Sequence, residues 1–510
     1  MESFYITTPI YYVNDVPHIG HAYTTIAADT LRRYQLLRGR DAYLVTGTDE
    51  HGAKMAEAAA AHGQDPQAYA DANNAAFRAA WQSLNIGYND LIRTTEPRHE
   101  KGVQKFVQAL YDRGQIYKSR YEGLYCTGCE RFMTETELVD GCCPDHRRTP
   151  VTYAEDNYFF RLSNYTDTLL KAIEDPGDPN HFEIDPPTRR NEVLGKLRVG
   201  LNDISISRAL KWGIPVPFDP SQTVYVWVDA LLSYIDAIGY GAESDEFRRY
   251  WPASVHLMAK DILWFHTVIW PSMLIAAGLP VPNKVFAHGF FTVNGQKMSK
   301  TIGNVIAPQA LVERFGTDGA RYLMLTAFPF GTDGDISLDS FAEAYNANLA
   351  NDLGNLLNRT ASMINRYFGG VAPAPGDESN QLDLELKNVA ASVFPAIERA
   401  FQELAFHEAL GAAWQLVGRA NKYVEENAPW TLAKTNRERL STVMYNLAES
   451  LRLIALSIYP AMPQTTGEIM RQLGLTWQTD GVWEDLITWG KYPSGTKIID
   501  KPQPIFPRLQ

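Results

Sequence analysis

Phe4 and Ile6 alternate over residues 3–7, the period of a half-buried strand. The period then changes. Ile19, Ala22, Ile26, Ala27 and Leu31 recur every three or four residues, which predicts an amphipathic helix, and Gly39 stands where such a helix stops. Residues 42–46 (AYLVT) are the next strand-like run, so the chain opens on a parallel βαβ unit. Residues 53–82 keep a helical period. Between 113 and 225 the long periodic runs give way to short strands rich in Tyr, Cys, Pro and charge, which reads as an insertion. Parallel-sheet character is expected to return in 224–228 (VYVWV), followed by Asp229 and a helix, and to continue in 255–258 and 285–287. From Phe341 on only the helical period remains. Leu447, Leu451, Ile454 and Ile458 make one apolar stripe, and Leu410, Trp414, Val417 and Val424 another. Residues 369–380 (GGVAPAPGDESN) read as a loop between helices, and the last twenty residues, with four prolines, as an extended tail that packs back.

Composition narrows the picture. A chain of 510 residues, 45% hydrophobic, has ample core for two to four domains. No basic stretch followed by an apolar one opens the chain, so no secretory signal is expected and a cytoplasmic location is. The apolar run 262–279 is long enough to span a membrane, but it contains His266 and Pro271 and follows Lys260 and Asp261. It is expected to be a buried helix instead. The net charge is −12, so a nucleic-acid partner would have to meet a local basic face on an acidic body.

Three clusters carry candidate chemistry. His18 and His21, three apart, face one way in the first turn of the first helix, at the carboxyl edge of the sheet, where helix N-termini offer N–H groups to phosphate. Gly20 between them allows close approach to the backbone. Two imidazoles there suit hydrogen bonding to charge that builds on a phosphate during displacement. A His-x-x-His pair alone reads as easily as an exposed turn. Lys297 and Lys300 sit in a loop between Gly295 and Gly303, suited to a polyphosphate leaving group but, alone, equally a solvated basic loop. All four cysteines fall between 126 and 143. Cys126-x2-Cys129, then thirteen residues, then Cys143-x2-His146 is the spacing of a closed, structural zinc site, with Cys142 a spare thiol.

His18-Ile19-Gly20-His21 followed by Lys297-Met298-Ser299-Lys300-Thr301 resembles the two signatures of class I aminoacyl-tRNA synthetases, in their order, with Thr301 keeping the hydroxyl of the usual serine. Isoleucine, valine and leucine enzymes carry a large editing domain for which the 113–225 insertion is too small. Cysteine enzymes keep a thiol near the first strand, where this chain has Pro9-Ile10-Tyr11-Tyr12. The zinc spacing and helical tail resemble the methionyl branch, and the resemblance runs nearly end to end.

That resemblance implies activation of methionine with ATP and Mg²⁺ to methionyl-adenylate, and transfer to tRNA(Met). It implies that His18, His21, Lys297 and Lys300 are catalytic and that Gly20, His288, Gly289, Asn304 and Val305 lie with them around ATP. Ile10, Tyr12, Asp49, Trp227, Tyr234 and His266 fall where the family holds methionine, and Asn351, Asn355, Arg359 and Trp430 where it reads the anticodon. From spacing alone Trp227 and Tyr234 would be core, and the asparagines a solvated helix face. Ala259-Lys260-Asp261 departs from the family's Gly-Lys-Asp. The expected layout is a Rossmann-like catalytic domain in two halves (1–112 and 226–306), a zinc-knuckle insertion (113–225), a linker contacting the tRNA stem (307–343), a helix-bundle anticodon domain (344–489) and a tail (490–510), acting as a monomer. A carboxylate-activating nucleotidyl transferase would leave the helical part unused, and a silent tRNA-binding protein would be expected to have lost a signature.

Overall fold

A computed structural model describes residues 2–126, 131–133, 135–144, 147–298, 304–377, 380–477 and 481–509. β1 (Ser3–Tyr12), α1 (Ile19–Leu37) and β2 (Asp41–Asp49) form the predicted unit, with β1 parallel to β2 from Ser3 opposite Asp41 to Tyr12 opposite Asp49. Four more strands complete one sheet: β3 (Asp90–Arg93), β4 (Glu183–Asp185), β5 (Val255–Ala259) and β6 (Lys284–His288). Their order is β3-β2-β1-β5-β6-β4, and every pairing is parallel. The chain winds outward from β1 to β3, then returns to the other side of β1. The crevice above the carboxyl ends of β1 and β5 is thus the topological switch point, where such sheets bind ligands.

Helices cover both faces. α2 (Pro66–Ser83) and α3 (Pro97–Asp112) follow β2 and β3. The strand expected at 224–228 is not there. Asp219–Val224 belongs to a small antiparallel sheet with Ser207–Arg208 and Pro215–Val216, and Val226–Asp236 is a helix, α4. α4 is buried apart from half-buried Trp227, and its first turn, Val226 to Val228, continues the apolar, β-prone run of Val224 and Tyr225, while its polar stripe begins only at Asp229. Burial inside the core overrides the strand preference of Val and Tyr. The apolar run 262–279 is a π-helical turn (Phe265–Ile269) that continues as a helix (Trp270–Ala277) in the core. No helix of the described residues is long and apolar enough to cross a membrane.

Within 113–225, Ile116–Cys126 and Val151–Phe160 form a long antiparallel pair, whereas β4 joins the edge of the main sheet. The C-terminal part is helical: α5 (Thr317–Thr326), a π-helical segment (Tyr345–Gly354), α6 (Asn355–Phe368), α7 (Gln381–Gln402), α8 (Phe406–Asn427), α9 (Arg437–Ile458) and α10 (Pro463–Gln472). The tail packs back as expected. Ala372 N–H donates to Thr496 O at 2.9 Å and Ile498 N–H to Gly370 O at 2.9 Å. At its start the N–H groups of Gly490, Lys491 and Tyr492 converge on the buried Glu449 carboxylate of α9, at 2.7 to 3.2 Å, beside the Arg452 guanidinium.

One buried arginine joins the two halves. Arg321 on α5, fully buried, pairs with Asp29 of α1 at 2.7 Å. It also donates to Leu84 O at 3.2 Å, and to Ala461 O and Pro460 O at 2.6 and 3.1 Å in the turn between α9 and α10. Asp29 is shared with Arg33 at 2.8 Å and accepts the Gly87 N–H at 2.8 Å.

Candidate active site

The chain crosses the carboxyl edge of β1 and enters α1 at His18, the extended N-cap residue (φ −125°, ψ 172°). His18 Nδ1 accepts the Gly20 N–H at 3.0 Å, and His21 Nδ1 accepts the His18 N–H at 3.3 Å. A backbone N–H can only donate, so both Nδ1 atoms are acceptors and each neutral ring carries its proton on Nε2. Burial lowers the pKa of both rings, and the charge of His18 would lower that of His21 further, so the neutral form is favoured. The rings stack with centroids 3.8 Å apart, and His21 is packed against Tyr11 and Phe77 of α2. The helix end, with no acidic residue in its first turn, is electrostatically open to an anion. Gly20 is required for a local reason: a Cβ there would lie 2.8 Å from His18 Cε1, so the group that approaches this backbone is His18's own ring.

The lysine loop leaves and returns beside that turn. Phe291–Val293 and Gln296–Lys297 form a hairpin, fastened by the Gly295 N–H to Asp335 Oδ1 at 2.7 Å. A Cβ on Gly20 would lie 3.6 Å from Met298 Cε, and Ile19 N–H donates to Ile306 O at 3.0 Å. Lys300 and the side chain of Lys297 lie outside the described residues. Asn304 is half-buried and Val305 exposed.

The crevice wall comes from β1, β2, α4 and the π-helical turn. Asp49 is buried at the end of β2, opposite Tyr12. Ile10 pairs with Gly47, where a Cβ would lie 2.7 Å from Ile10 Cγ2. Trp227 stacks on Phe265, centroids 4.1 Å apart. Tyr234, two turns on, has its hydroxyl 2.7 Å from His266 Nε2, and His266 Nδ1 is 2.9 Å from Ile262 O. A carbonyl only accepts, so Nδ1 carries the proton and Tyr234 donates to Nε2. Burial lowers His266 to about 4 and raises Tyr234, so the pair stays neutral. Their polar atoms satisfy each other. Phe265 escaped the sequence reading; its distance of 38 positions from Trp227 leaves no local signal of the stack.

His288 serves the frame as much as the crevice. Its Nδ1 lies 2.8 Å from Gly289 O and its Nε2 2.6 Å from Thr24 Oγ1, which fastens β6 to α1, and burial lowers its pKa to about 4. Gly289 makes room for the turn at Thr332, whose carbonyl oxygen would lie 2.2 Å from a Cβ there. Lys260, after Ala259, is paired with Asp333 at 2.6 Å.

Two further clusters hold the remaining candidate residues. Cys126 and Cys143 are buried in one small cluster with Met133, whereas Cys142 is half-buried with its Sγ 3.8 Å from Thr149 Oγ1. Cys129 and His146 lie outside the described residues, among which no group of three metal-ligating side chains comes together. In the helical part, Arg359 pairs with Glu425 at 2.7 Å and lies 6.0 Å from the ring of Trp430, which is 44% exposed. Asn351 and Asn355 are exposed. Asn351, Asn355 and Arg359 are spaced four apart, which in an α-helix would put all three on one face, but Asn351 falls in the π-helical segment, so the 3.6-residue period does not hold across 351–355.

A family profile described as tRNA synthetases class I (M) matches residues 4–149 and 146–361. The methionine–tRNA ligase of Caldanaerobacter subterraneus is 48% identical over 100% of this chain and 79% of its own length, and that of Bacillus subtilis is 44% identical over 100% and 78%. The structure of Mycobacterium tuberculosis methionyl-tRNA synthetase in complex with methionyl-adenylate superposes with a TM-score of 0.94 at 40% identity, covering 100% of both chains. The switch-point crevice, its paired imidazoles and this full-length similarity agree: the chain belongs to the methionyl-tRNA synthetases, class I enzymes that ligate methionine to tRNA.

Proposed function

We propose that the imidazole pair is the phosphate-handling centre of this ligase and that the surrounding residues divide the remaining tasks. The observation that carries this is the capping arrangement, which leaves His18 and His21 each with a proton on Nε2. Methionine binds with its ammonium near Asp49 and its thioether among Ile10, Tyr12, Trp227, Tyr234 and His266. Its carboxylate oxygen attacks the α-phosphorus of ATP in line, and pyrophosphate leaves with its Mg²⁺. His18 and His21 donate hydrogen bonds to the crowded phosphoryl oxygens, Lys297 and Lys300 offset the charge of the leaving group, and Gly20, His288, Gly289, Asn304 and Val305 line the nucleotide's place. A terminal tRNA hydroxyl then displaces AMP from the adenylate, with no covalent intermediate on the protein. ATP–pyrophosphate exchange with each of the twenty amino acids tests the pocket: methionine alone should support full exchange without tRNA, and equal exchange with leucine would sink it.

Cys126, Cys129, Cys143 and His146 would hold one structural zinc. Two thiols buried together suit a soft metal, and the turn at Cys143 is closed by Arg147 N–H to Cys143 O at 2.7 Å. Four protein ligands would leave no open position, so the ion would cross-link the insertion rather than take part in the reaction. Elemental analysis should find one zinc per chain, lost in Cys126→Ser and Cys143→Ser and kept in Cys142→Ser. Loss in Cys142→Ser alone would reassign the ligand.

The helical part (344–489) would read the anticodon, with a loop base stacking on Trp430 and Arg359, Asn351 and Asn355 hydrogen-bonding its neighbours. Trp430→Ala should cost tRNA aminoacylation about 1–3 kcal/mol, the worth of one stacked base, and leave tRNA-independent exchange unchanged. Equal losses in both assays would contradict the assignment.

A further inference from the structure

α4 carries two stripes of seven-residue spacing. Trp227 and Tyr234 form one, Asp229 and Asp236 the other, and all four lie in Val226–Asp236. The stripes are offset by two residues, about 200° around a helix of 3.6 residues per turn, so the acids face away from the aromatic wall. From α3, fully buried His99 meets both acids: its Nε2 is hydrogen-bonded to Asp229 Oδ1 at 2.6 Å, and its Nδ1 lies 3.1 Å from Asp236 Oδ2, an ion-pair contact outside hydrogen-bond geometry. The other oxygen of Asp229 lies 2.7 Å from Nδ1 of His51, two residues beyond Asp49. Gly102, nearly one turn after His99, lets the helices close up, since a Cβ there would lie 1.8 Å from Asp236 Oδ1. None of these four polar groups has a part in the reaction above.

We propose that His99 is a positioning residue for the methionine pocket. Clasped by two carboxylates of one helix, it fixes the rotation of α4 about its own axis, and through Asp229 and His51 it ties that rotation to the strand end bearing Asp49. A helix tied at Asp229 by a hydrogen bond and at Asp236 by charge, seven residues apart, cannot roll without weakening one of the two, and any roll swings Trp227 and Tyr234 against Asp49. The clasp is charged. The two carboxylates raise the pKa of His99 to about 10 against the opposing effect of burial, and burial raises Asp236 to about 6. The other titratable groups near the pair are Arg98 beside it on α3, His51, Tyr5 on β1 and Tyr240 after α4.

This rests on the assignment of Trp227 and Tyr234 to the methionine wall, so the experiment includes that assignment. Methionine and ATP KM are measured by pyrophosphate exchange for His99→Gln, Asp236→Asn and Trp227→Ala, with thermal unfolding as a folding check. His99→Gln and Asp236→Asn are expected to raise methionine KM about tenfold while ATP KM and kcat stay within about twofold. Asp236→Asn removes one of the charges that hold the proton on His99. The ratio of its methionine KM to the wild-type value, which cancels titration of the amino acid itself, should therefore grow from pH 7 to pH 9. A clasp that only stabilises the fold would lower the unfolding temperature and leave that ratio at one. If Trp227→Ala raises methionine KM and neither clasp variant does, the positioning role is overturned. If Trp227→Ala leaves it unchanged, the pocket assignment falls and the role of His99 falls with it. Should His99→Gln fail to fold, the pH dependence of the Asp236→Asn ratio decides alone, with a flat profile against the proposal.

Discussion

His21→Asn is expected to slow adenylate formation about 10²–10³-fold, with methionine KM little changed, because it removes a donor used chiefly in the transition state. Asparagine is the informative replacement. Its side-chain oxygen reaches the place of Nδ1 and can still accept the His18 N–H, so the helix cap survives, but nothing reaches the place of Nε2. Glutamine is the converse: its amide extends to Nε2 and gives up the cap, so His21→Gln should retain more of the exchange rate. Retention in the opposite order would mean that the imidazole matters as a cap and not as a donor. The pH dependence follows from the same bonds. Protonation would put a hydrogen on Nδ1, against a backbone N–H, and burial holds both rings below the ordinary histidine range. The pair therefore titrates below the ordinary histidine value, and the exchange rate should show no inflection at that value from these groups. A rate that rises with a midpoint at the ordinary histidine pKa would contradict the tautomers.

Arg321→Met should destabilise the protein by about 3–5 kcal/mol, because it leaves Asp29 buried with one partner fewer and three carbonyl oxygens without their donor. Arg321→Lys should recover little, since one ammonium cannot reach three other elements from a single position. The effect should also change the shape of unfolding. Arg321 connects α1, the turn after α2, α5 and the turn between α9 and α10, so its loss should let the helical part unfold separately from the sheet. Urea titration followed by far-UV circular dichroism should then show two transitions where the native chain shows fewer. An unchanged midpoint and shape would mean that apolar packing alone holds the halves together.

The site was legible in sequence where its parts are local. His18 and His21 are brought together by one helical turn, and that turn follows from the spacing of Ile19, Ala22 and Ile26. The helical C-terminal part was legible because α6, α7 and α8 keep exposed polar faces and because α9, though buried from Thr442 to Ile458, still carries its apolar stripe at helical spacing over a long run. Legibility failed at α4. It opens on the apolar run Val224 to Val228, before its first acid at Asp229, so a strand was expected where the crevice wall stands on a helix. It failed again where contacts are remote in sequence: Phe265 on Trp227, Thr24 on His288, and the three-residue edge strand β4, which is too short to carry a period. The π-helical segments left no pattern either, since one added residue per turn shifts a face without changing composition.

The position of Glu449 sets an order of events during synthesis. Its carboxylate is fully buried in α9, and three of the N–H groups that stabilise it come from residues 490–492, with Tyr492 43 positions later. At about 5–20 residues per second, the stretch from 449 to 492 takes a ribosome about 2 to 9 seconds to make. Through that interval α9 cannot bury this charge at its native depth without a large desolvation cost. The sheet and its crevice can be complete while the nascent helical half is still open, and that half closes only as the chain around Tyr492 emerges.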